Sequence, residues 1–351
     1  MAGPFGLAAR AAAALQAHWW QSRPTLLSQA LRPLSWLYGA LAAIRCQRTQ
    51  VEAAPVPVIV VGNLVVGGAG KTPTVIALVQ ALQSAGRRPG VLSRGYGRTG
   101  INVCAVTPEA HASAVGDEPL LIQRRTGVPV WVGRDRLAAA RALCARHPEV
   151  DVLVSDDGLQ HHALGRVAEL VVFDDRGAGN GLLLPAGPLR QPLPTVMPAG
   201  TWVLYTGTRA STPLPGAVAS RALGWAWPLA DWWSGNRPAA RPLTALQGRR
   251  VLAVAGLAAP EKFFTMLEAA GLDLQCLPQP DHETYDHLPW AVGETLDILL
   301  TEKDAVKLRP DRPGTERVQV VPLDFSLPAK LVRGLIELLP SPPSHPSSPS
   351  P

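Results

Sequence analysis

The sequence is poor in cysteine and in lysine. Its four cysteines, Cys46, Cys104, Cys144 and Cys276, are widely spaced in the 351 residues and include no C-x-x-C pair. This spacing suggests neither a disulfide framework nor a zinc site, and a reducing compartment is the simplest interpretation. Only five lysines occur, so a lysine that falls inside a motif is less easily explained by chance.

Acidic residues are absent from the first fifty residues, which contain five arginines and no lysine. The rest of the chain holds 28 basic and 27 acidic side chains, so the net charge of +6 is an N-terminal property. Nucleic-acid binding needs a basic face on a folded domain, so we expect no nucleic-acid partner.

Hydrophobic residues make up 47% of the chain, which excludes a wholly disordered protein, and nothing in the sequence indicates an oligomeric state.

Long apolar runs are also missing from the N-terminal region. Residues 34–44 are uncharged, but 11 residues form about 16 Å of helix, against a hydrocarbon core of roughly 30 Å. Arginine beside tryptophan and short apolar helices is typical of a segment that lies among lipid headgroups. We therefore predict a membrane-surface helical segment over residues 1–50. A helix packed on the domain and a poor signal peptide with residues 11–14 as its apolar part stay open as alternatives.

A glycine-rich loop between a strand and a helix is the strongest motif. Residues 57–61 are typical of a buried parallel strand, and residues 73–82 show an apolar helical face. Amides of such a loop close around phosphate oxygens, while Lys71 supplies positive charge and Thr72 offers a hydroxyl to Mg²⁺. The full G-x-x-x-x-G-K-[ST] pattern would have glycine where the chain has Val65. The predicted ATP-binding residues are Val65, Val66, Gly67, Gly68, Ala69, Gly70, Lys71 and Thr72.

Two acidic pairs follow predicted strands. Asp156 and Asp157 come after the apolar run at 150–155, and Asp174 and Asp175 come after the run at 170–173. P-loop enzymes hold Mg²⁺ with a carboxylate at the end of a strand that lies next to the phosphate loop. Each pair could equally be a solvated turn, and periodicity does not choose between them.

Three further polar segments have simple structural explanations. In Gly116-Asp117-Glu118-Pro119, an aspartate at an N-cap followed by Glu and Pro is ordinary helix initiation. The segment 281–283 could be a polar loop that binds nothing, and 301–304 could simply begin a helix. On physical grounds alone, none of the three is a strong candidate for catalysis.

Taken in chain order, seven segments resemble the tetraacyldisaccharide 4′-kinase family of lipid A biosynthesis. The resemblance extends from about residue 34 to residue 323. The segments are residues 61–73, 92–98, 115–119, 155–161, 184–190, 281–282 and 300–307. Each one is weak alone, but the ordered set is highly specific.

The resemblance implies transfer of the ATP γ-phosphoryl group to the 4′-hydroxyl of a tetraacylated glucosamine disaccharide 1-phosphate, with Mg²⁺ as cofactor. It implies action at the cytoplasmic face of the bacterial inner membrane, with ATP, the acylated lipid and the membrane surface as partners. The expected fold is α/β: a P-loop NTPase-like parallel sheet flanked by helices, a second, smaller α/β lobe and an N-terminal membrane-associated helix.

The resemblance also assigns roles to residues. It implies that Asp156 and Asp157, with Thr72, serve the Mg²⁺ site, which favours this pair over Asp174 and Asp175. It implies that Asp117 and His282 form a proton-accepting pair at the sugar hydroxyl, while Lys71 stabilises the transferred phosphoryl group. Planar guanidinium groups grip phosphate in a bidentate way. Our candidates for binding the acceptor are therefore Arg94, Tyr96, Arg98 and Arg190.

The predicted organisation has four parts: residues 1–50, a P-loop kinase core at 51–195, a C-terminal α/β lobe at 196–339 and a disordered Pro/Ser tail at 340–351. A different class of function is a membrane-associated P-loop ATPase switch or partitioning protein, which would need no acceptor hydroxyl. A cytosolic small-molecule kinase is a third option, against which the arginine- and tryptophan-bearing N-terminus argues.

Overall fold

A computed structural model describes residues 15–235 and 239–341, which form two compact units. The first unit includes the described residues up to Val91, then Ala140–Ala219, and the chain from Leu327 onward. The second unit combines Leu92–Ala139 with the described part of Ser220–Ser326. The chain therefore leaves the first unit twice and returns to it twice, at Ala140 and at Leu327.

A mostly parallel sheet forms the centre of the first unit. Its strands, in spatial order, are β2 (Pro89–Ser93), β5 (Val152–Asp156), β1 (Val58–Gly62), β6 (Ala168–Phe173), β7 (Thr201–Tyr205) and β8 (Ala217–Val218). Strand β1 pairs in parallel with β5 on one side and β6 on the other. All residues of β1 and β5 are buried, as expected of strands that are covered on both faces.

Helices cover this sheet. They are Leu26–Ala30, Arg32–Arg48, Lys71–Ser84, the part of Arg136–Arg146 from Ala140 onward, and Ala329–Glu337. In Lys71–Ser84 the apolar side chains Val75, Leu78, Val79 and Leu82 are fully buried. This helix therefore begins directly at the phosphate loop and is held in place by its apolar face.

The helix Arg32–Arg48 has one packed face and one exposed face. The Ser35 hydroxyl donates to the Leu183 carbonyl at 2.8 Å, and a Cβ added at Gly39 would lie 2.8 Å from a Leu183 methyl group. Glycine therefore allows the close approach on the packed face. The exposed large apolar side chains of this helix are Leu34, Trp36, Leu37, Leu41 and Ile44. No helix in the described part of the chain has both the length and the apolarity needed to cross a bilayer.

The second unit has its own sheet and core. The strands, in spatial order, are β11 (Arg241–Pro242), β10 (Trp225–Pro228), β15 (Val318–Val321), β14 (Asp297–Thr301), β12 (Arg250–Ala255) and β13 (Asp273–Pro278). The four strands from β15 to β13 are parallel, while β10 and β11 are antiparallel additions. Phe263, Phe264 and Leu267 of the helix Pro260–Ala269 pack in the core of this unit.

Shorter elements complete the second unit. The antiparallel strand pairs are β3 (Cys104–Ala105) with β4 (Val130–Val132), and β9 (Ser220–Ala222) with β16 (Asp324–Ser326). The remaining helices are Ala112–Val115, Asp117–Thr126, Leu229–Ser234, the 3₁₀ helix Leu243–Leu246 and Glu302–Ala305.

The predicted α/β class with mostly parallel sheets is confirmed. The compact units do not follow the predicted boundary between residues 195 and 196, since 92–139 group with the second unit and 196–219 with the first. Whether the four predicted parts fold or act separately stays a prediction. Residues 1–14 of the predicted membrane segment, and the predicted tail from residue 342 onward, lie outside the described residues.

Candidate functional site

The phosphate loop joins β1 to the helix Lys71–Ser84. The backbone is left-handed at Gly67 (φ 89°) and Gly70 (φ 81°), a conformation that favours glycine. Val65 is buried and forms a bridge pair with Leu189. Position 65 therefore serves packing, which explains why this loop carries valine where the full phosphate-loop pattern has glycine.

Two side chains hold Lys71 at the loop. Its Nζ donates to the Asn63 Oδ1 at 3.2 Å and lies 3.6 Å from the Asp157 Oδ1. Asn63 is fully buried, and its Nδ2 donates to the Gly67 carbonyl at 3.0 Å. Arg190 also reaches the Asp157 Oδ1, at 3.3 Å. Asn63 was not among the residues predicted for the site, although its place directly after the strand and before the glycines was a usable signal.

The carboxylates predicted to serve the metal lie at the end of β5. Asp156 is its last residue and is paired in register with Val61 of β1. Asp157 follows with a left-handed backbone (φ 50°), which is uncommon for a residue with a side chain and clusters at functional sites. The β5–β1 pairing thus brings Asp157 to Lys71.

The rival pair follows β6, on the other side of β1. The Asp174 carboxylate accepts from the Arg176 Nε at 2.9 Å, and the Asp175 Oδ1 accepts from the Thr208 amide at 3.2 Å. Both pairs therefore flank the phosphate-loop strand, and the Asp174 charge is partly balanced by Arg176.

Arg176 is a second residue at the loop that was not predicted from the sequence. Its Nη2 donates to the Gly68 carbonyl in the phosphate loop at 2.5 Å, and its guanidinium lies 4.3 Å from the Trp20 ring centroid. An arginine three residues beyond the end of β6, which lies next to β1, was the available signal. Arg176 thus links the N-terminal segment to the loop.

In the second unit the structure brings Asp117 and His282 into contact. His282 Nδ1 lies 3.0 Å from the Asp117 Oδ2, although 165 residues separate them. Gly116 is the N-cap of the helix Asp117–Thr126, so the interpretation of Asp117 as an N-cap is wrong. Asp117 is instead the first helical residue, and its Oδ1 accepts from the Glu118 amide at 2.9 Å.

Two glycines position this pair beside the segment 94–98. A Cβ added at Gly116 would lie 3.1 Å from the Gly95 Cα, so both positions need the close approach that glycine allows. The Tyr96 ring consequently lies 5.2 Å from the His282 ring, centroid to centroid, and Tyr96 is exposed.

The predicted acceptor-binding arginines have different surroundings. Arg94 is exposed, whereas the Arg98 guanidinium donates to the Asn102 carbonyl and the Cys104 Sγ and so stabilises its own loop. Arg190 lies beside Asp157 in the first unit. The four candidates are therefore divided between the two units.

Segment 301–307 supplies two cations near Asp117. Thr301 caps the helix Glu302–Ala305 by accepting from the Asp304 amide, so the expectation that this segment begins a helix is confirmed. The same turn places the Lys303 Nζ 3.0 Å from the Asp281 Oδ1 and the Lys307 Nζ 3.8 Å from the Asp117 Oδ2. Neither lysine was predicted to have a role.

The groups around Asp117 and His282 favour a negative carboxylate beside a positive imidazole. Burial raises the pKa of Asp117, but the His282 hydrogen bond and the charges of Lys303 and Lys307 outweigh it and leave that pKa below its usual value. The hydrogen bond to Asp117 raises the pKa of His282, although burial opposes the rise. The arrangement can therefore hold a carboxylate against a protonated imidazole.

The donor set at the phosphate loop suits Mg²⁺. The Asp156 and Asp157 carboxylates and the Thr72 hydroxyl are hard oxygen ligands of the kind Mg²⁺ prefers. Among the residues that the structure describes, no group of three or more His, Cys, Asp and Glu side chains could hold a metal alone. Mg²⁺ usually keeps several waters and binds through one or two carboxylates together with substrate phosphates.

Comparison with known proteins points to one family. The family model for tetraacyldisaccharide-1-P 4′-kinase matches residues 27–340. The chain is 56% identical over 308 residues to the tetraacyldisaccharide 4′-kinase of Methylibium petroleiphilum, covering 85% of this chain and 86% of the relative. It is 51% identical over 346 residues to that of Leptothrix cholodnii, covering 96% and 98%.

A solved structure matches as well. The crystal structure of LpxK from Aquifex aeolicus in complex with ATP has a TM-score of 0.72 and 28% sequence identity, covering 90% of this chain and 100% of that chain. The sequence matches and the structural match thus point to the same family. The chain therefore belongs to the tetraacyldisaccharide-1-P 4′-kinase family.

Proposed function

We propose that this chain transfers the γ-phosphoryl group of ATP to the 4′-hydroxyl of a tetraacyl glucosamine disaccharide 1-phosphate in lipid A biosynthesis. The observation that carries the proposal is membership of the family over residues 27–340. The phosphate loop with its fixed Lys71 supports the use of ATP. The Asp117–His282 pair supports an acceptor hydroxyl, which the alternative ATPase switch would not need.

The chemistry at the phosphates is mainly positioning and charge stabilisation. In this proposal the amides of residues 65–72 bind the phosphate oxygens, and Lys71 neutralises charge on the transferred group. Asp156, Asp157 and Thr72 would hold Mg²⁺, which would supply further positive charge to the phosphoryl oxygens. Arg190 contacts the same Asp157 oxygen as Lys71 does, and in this scheme it steadies that carboxylate.

Asp117 is the proposed proton acceptor. The bond between the 4′ oxygen and the γ-phosphorus forms as the bond from that phosphorus to the β,γ-bridging oxygen breaks, and ADP leaves with the electron pair. The hydroxyl proton passes to the Asp117 carboxylate, which needs no unusual pKa because the proton leaves late in the reaction. His282 orients the carboxylate and shares the proton through its 3.0 Å contact.

Acceptor binding is proposed for Arg94, Tyr96, Arg98 and Arg190. Tyr96 has the best support among them, because it is exposed and its ring lies beside His282. Arg94 is exposed and available to a phosphate, whereas Arg98 and Arg190 already contact protein groups. A sugar phosphate would have to compete with those contacts.

Membrane attachment is proposed for the helix Arg32–Arg48. Leu34, Leu37, Leu41 and Ile44 share its exposed side, and Arg45 and Arg48 lie in its last turn. Apolar side chains flanked by arginines favour an anionic lipid surface. We place the protein at the cytoplasmic face of the bacterial inner membrane on this basis, together with the lipid substrate.

The test is transfer of labelled phosphate. The full chain is incubated with Mg²⁺, γ-³²P-ATP and the acylated disaccharide 1-phosphate in detergent micelles, and the lipids are separated by thin-layer chromatography. We expect a labelled lipid whose formation falls at least 100-fold in Lys71→Ala and Asp117→Asn. Phosphate release that does not depend on the lipid would instead support the ATPase switch. Equal labelling of a deacylated disaccharide would support the small-molecule kinase.

A further inference from the structure

Lys307 is a buried ammonium group beside the proposed proton acceptor. Its side chain is only 5% exposed, and its Nζ lies 3.8 Å from the Asp117 Oδ2 and 3.5 Å from the Asp304 Oδ1. The same nitrogen lies 5.6 Å from the centroid of the buried Tyr285 ring. A buried cation needs compensating charge, and here two carboxylates provide it.

Asp304 accepts hydrogen bonds from other groups, so it does not by itself account for the charge balance of the buried Lys307 ammonium. It is fully buried, and its Oδ2 accepts from the Gly256 amide at 3.0 Å and from the Thr301 hydroxyl at 2.7 Å. One donor follows β12 and the other begins the turn that carries Asp304, so together they fix the position of its carboxylate. We therefore see Asp304 as the anchor that directs the Lys307 ammonium towards Asp117.

Asp117 is surrounded by charged groups from several elements. His282 and Lys307 face its Oδ2, and Lys303 lies next to them with contacts to Asp281 at 3.0 Å and Glu118 at 3.6 Å. Of the three cationic or titratable donors, Lys307 is the least exposed, at 5% against 17% for Lys303 and 33% for His282. Solvent therefore screens its charge least.

We propose that Lys307 is a positioning residue for phosphoryl transfer, holding the Asp117 carboxylate ionised and oriented towards the acceptor hydroxyl. This proposal depends on the proposed function, in which Asp117 accepts the hydroxyl proton. Lys307 takes no proton from the substrate in this scheme, since its role is exerted through Asp117. His282 contacts the same oxygen, the Asp117 Oδ2, and keeps its own role in sharing the proton.

The experiment compares kcat over pH 4.5 to 9 for the full chain and for Lys307→Met, which keeps the length of the side chain without its charge. We expect kcat at pH 8 to fall about tenfold, with the KM for ATP and lipid changed less than twofold. We also expect the pH below which kcat declines to rise by about one unit, because an opposite charge at this distance lowers a carboxylate pKa by 1–3 units. Lys307→Arg, which keeps the charge, should restore most of kcat and the original pH limit.

Two controls separate charge from packing. Lys330→Met alters an exposed lysine of the helix Ala329–Glu337 and should leave kcat and the pH limit unchanged. Ethylammonium added to Lys307→Ala should recover activity if the missing group is the ammonium. Thermal melts identify any variant that fails to fold, and Lys307→Gln then replaces the methionine variant in the pH comparison.

The proposal is overturned if folded Lys307→Met or Lys307→Gln keeps the wild-type kcat and pH limit. It is also overturned if kcat falls but neither the pH limit moves nor ethylammonium rescues Lys307→Ala, because that pattern indicates packing alone. Asp117→Asn, measured in parallel, separates the two proposals. If Asp117→Asn keeps full activity, the assignment of Asp117 is wrong; if it is inactive while Lys307→Met is normal, only the role of Lys307 is wrong.

Discussion

Asn63 is buried beneath the phosphate loop, and both ends of its amide are used. The oxygen accepts from Lys71 and the nitrogen donates to the Gly67 carbonyl. One side chain therefore sets both the direction of the lysine and the curvature of the loop. Hydrogen bonds to a charged group contribute about 1.5–3 kcal/mol when buried, more than those between neutral groups.

We predict that Asn63→Ala raises the KM for ATP about tenfold, which corresponds to about 1.4 kcal/mol, because Lys71 loses one of its two protein contacts. Steady-state kinetics at saturating lipid measure the change. Ser84→Ala, at the far end of the helix that begins at Lys71, removes one exposed hydrogen bond to the Gln80 carbonyl and serves as control. An unchanged KM would show that Asn63 does not set the loop.

His282 should make thermal stability depend on pH. Its pKa is raised in the folded state, so its contribution is fully present below about pH 6.5 and is lost as the pH rises through the raised pKa. The pKa of Asp117 is lowered in the folded state, so its contribution to stability is present above about pH 4 and is lost only as the pH falls through the lowered pKa. The pair therefore stabilises the protein most between about pH 4 and 6.5.

We predict that the difference in Tm between wild type and His282→Asn is largest near pH 5.5–6 and shrinks by pH 9. Differential scanning fluorimetry across this range measures it. In an Asp117→Asn background the same replacement should lose its pH dependence, because the partner charge is gone. A Tm difference that stays constant across the range would contradict the raised pKa.

Single residues also mark the limit of what the sequence could predict. The glycines of the phosphate loop and Lys71 follow from local chemistry, since a strand and a helix flank them. The contact between Asp117 and His282 joins positions 165 residues apart, so no spacing predicts it, and only the family resemblance pointed to it. Lys307 was missed because the segment 301–307 has the sequence of an ordinary helix start.

Among the elements, the helix Arg32–Arg48 offers the clearest test of membrane attachment. Its exposed apolar side chains lie opposite the side where Ser35 and Gly39 pack against Leu183. Substitutions on the exposed side should therefore change lipid binding without disturbing the packed side.

We predict that Leu37→Glu with Leu41→Glu reduces binding to anionic vesicles at least tenfold and changes Tm by less than about 2 °C. Co-sedimentation with vesicles of phosphatidylglycerol and phosphatidylethanolamine measures the binding. Gln47→Glu adds a like charge to the same helix away from the apolar group and should have a smaller effect. Equal binding by all three proteins would rule out this helix as the contact.

Elements were easier to predict than their grouping. The apolar runs at 57–61, 150–155 and 170–173 are observed in β1, β5 and β6, and the helical face at 73–82 lies within Lys71–Ser84. Buried β-branched runs carry that signal locally. Strand β7, however, was assigned to the second lobe and pairs with β6 in the first unit, because pairing partners are chosen by tertiary packing.

At the scale of the whole molecule, nucleotide binding should stabilise the protein. A ligand at 100 times its Kd adds about 2.7 kcal/mol to the free energy of unfolding. We predict that ATP with Mg²⁺ raises Tm by several degrees and slows amide hydrogen exchange in residues 63–72. Lys71→Ala should keep its ligand-free Tm but lose both effects. Slowed exchange confined to other segments would contradict the proposed nucleotide site.

The path of the chain through the two units has a consequence for biosynthesis. Residues 92–139 emerge from the ribosome before 140–219, and their partners in the second unit come later still. Translation adds about 5–20 residues per second, so His282 is incorporated roughly 8 to 33 s after Asp117. A polypeptide released early by a stalled ribosome would therefore possess the nucleotide loop but lack the histidine that completes the proton-accepting pair.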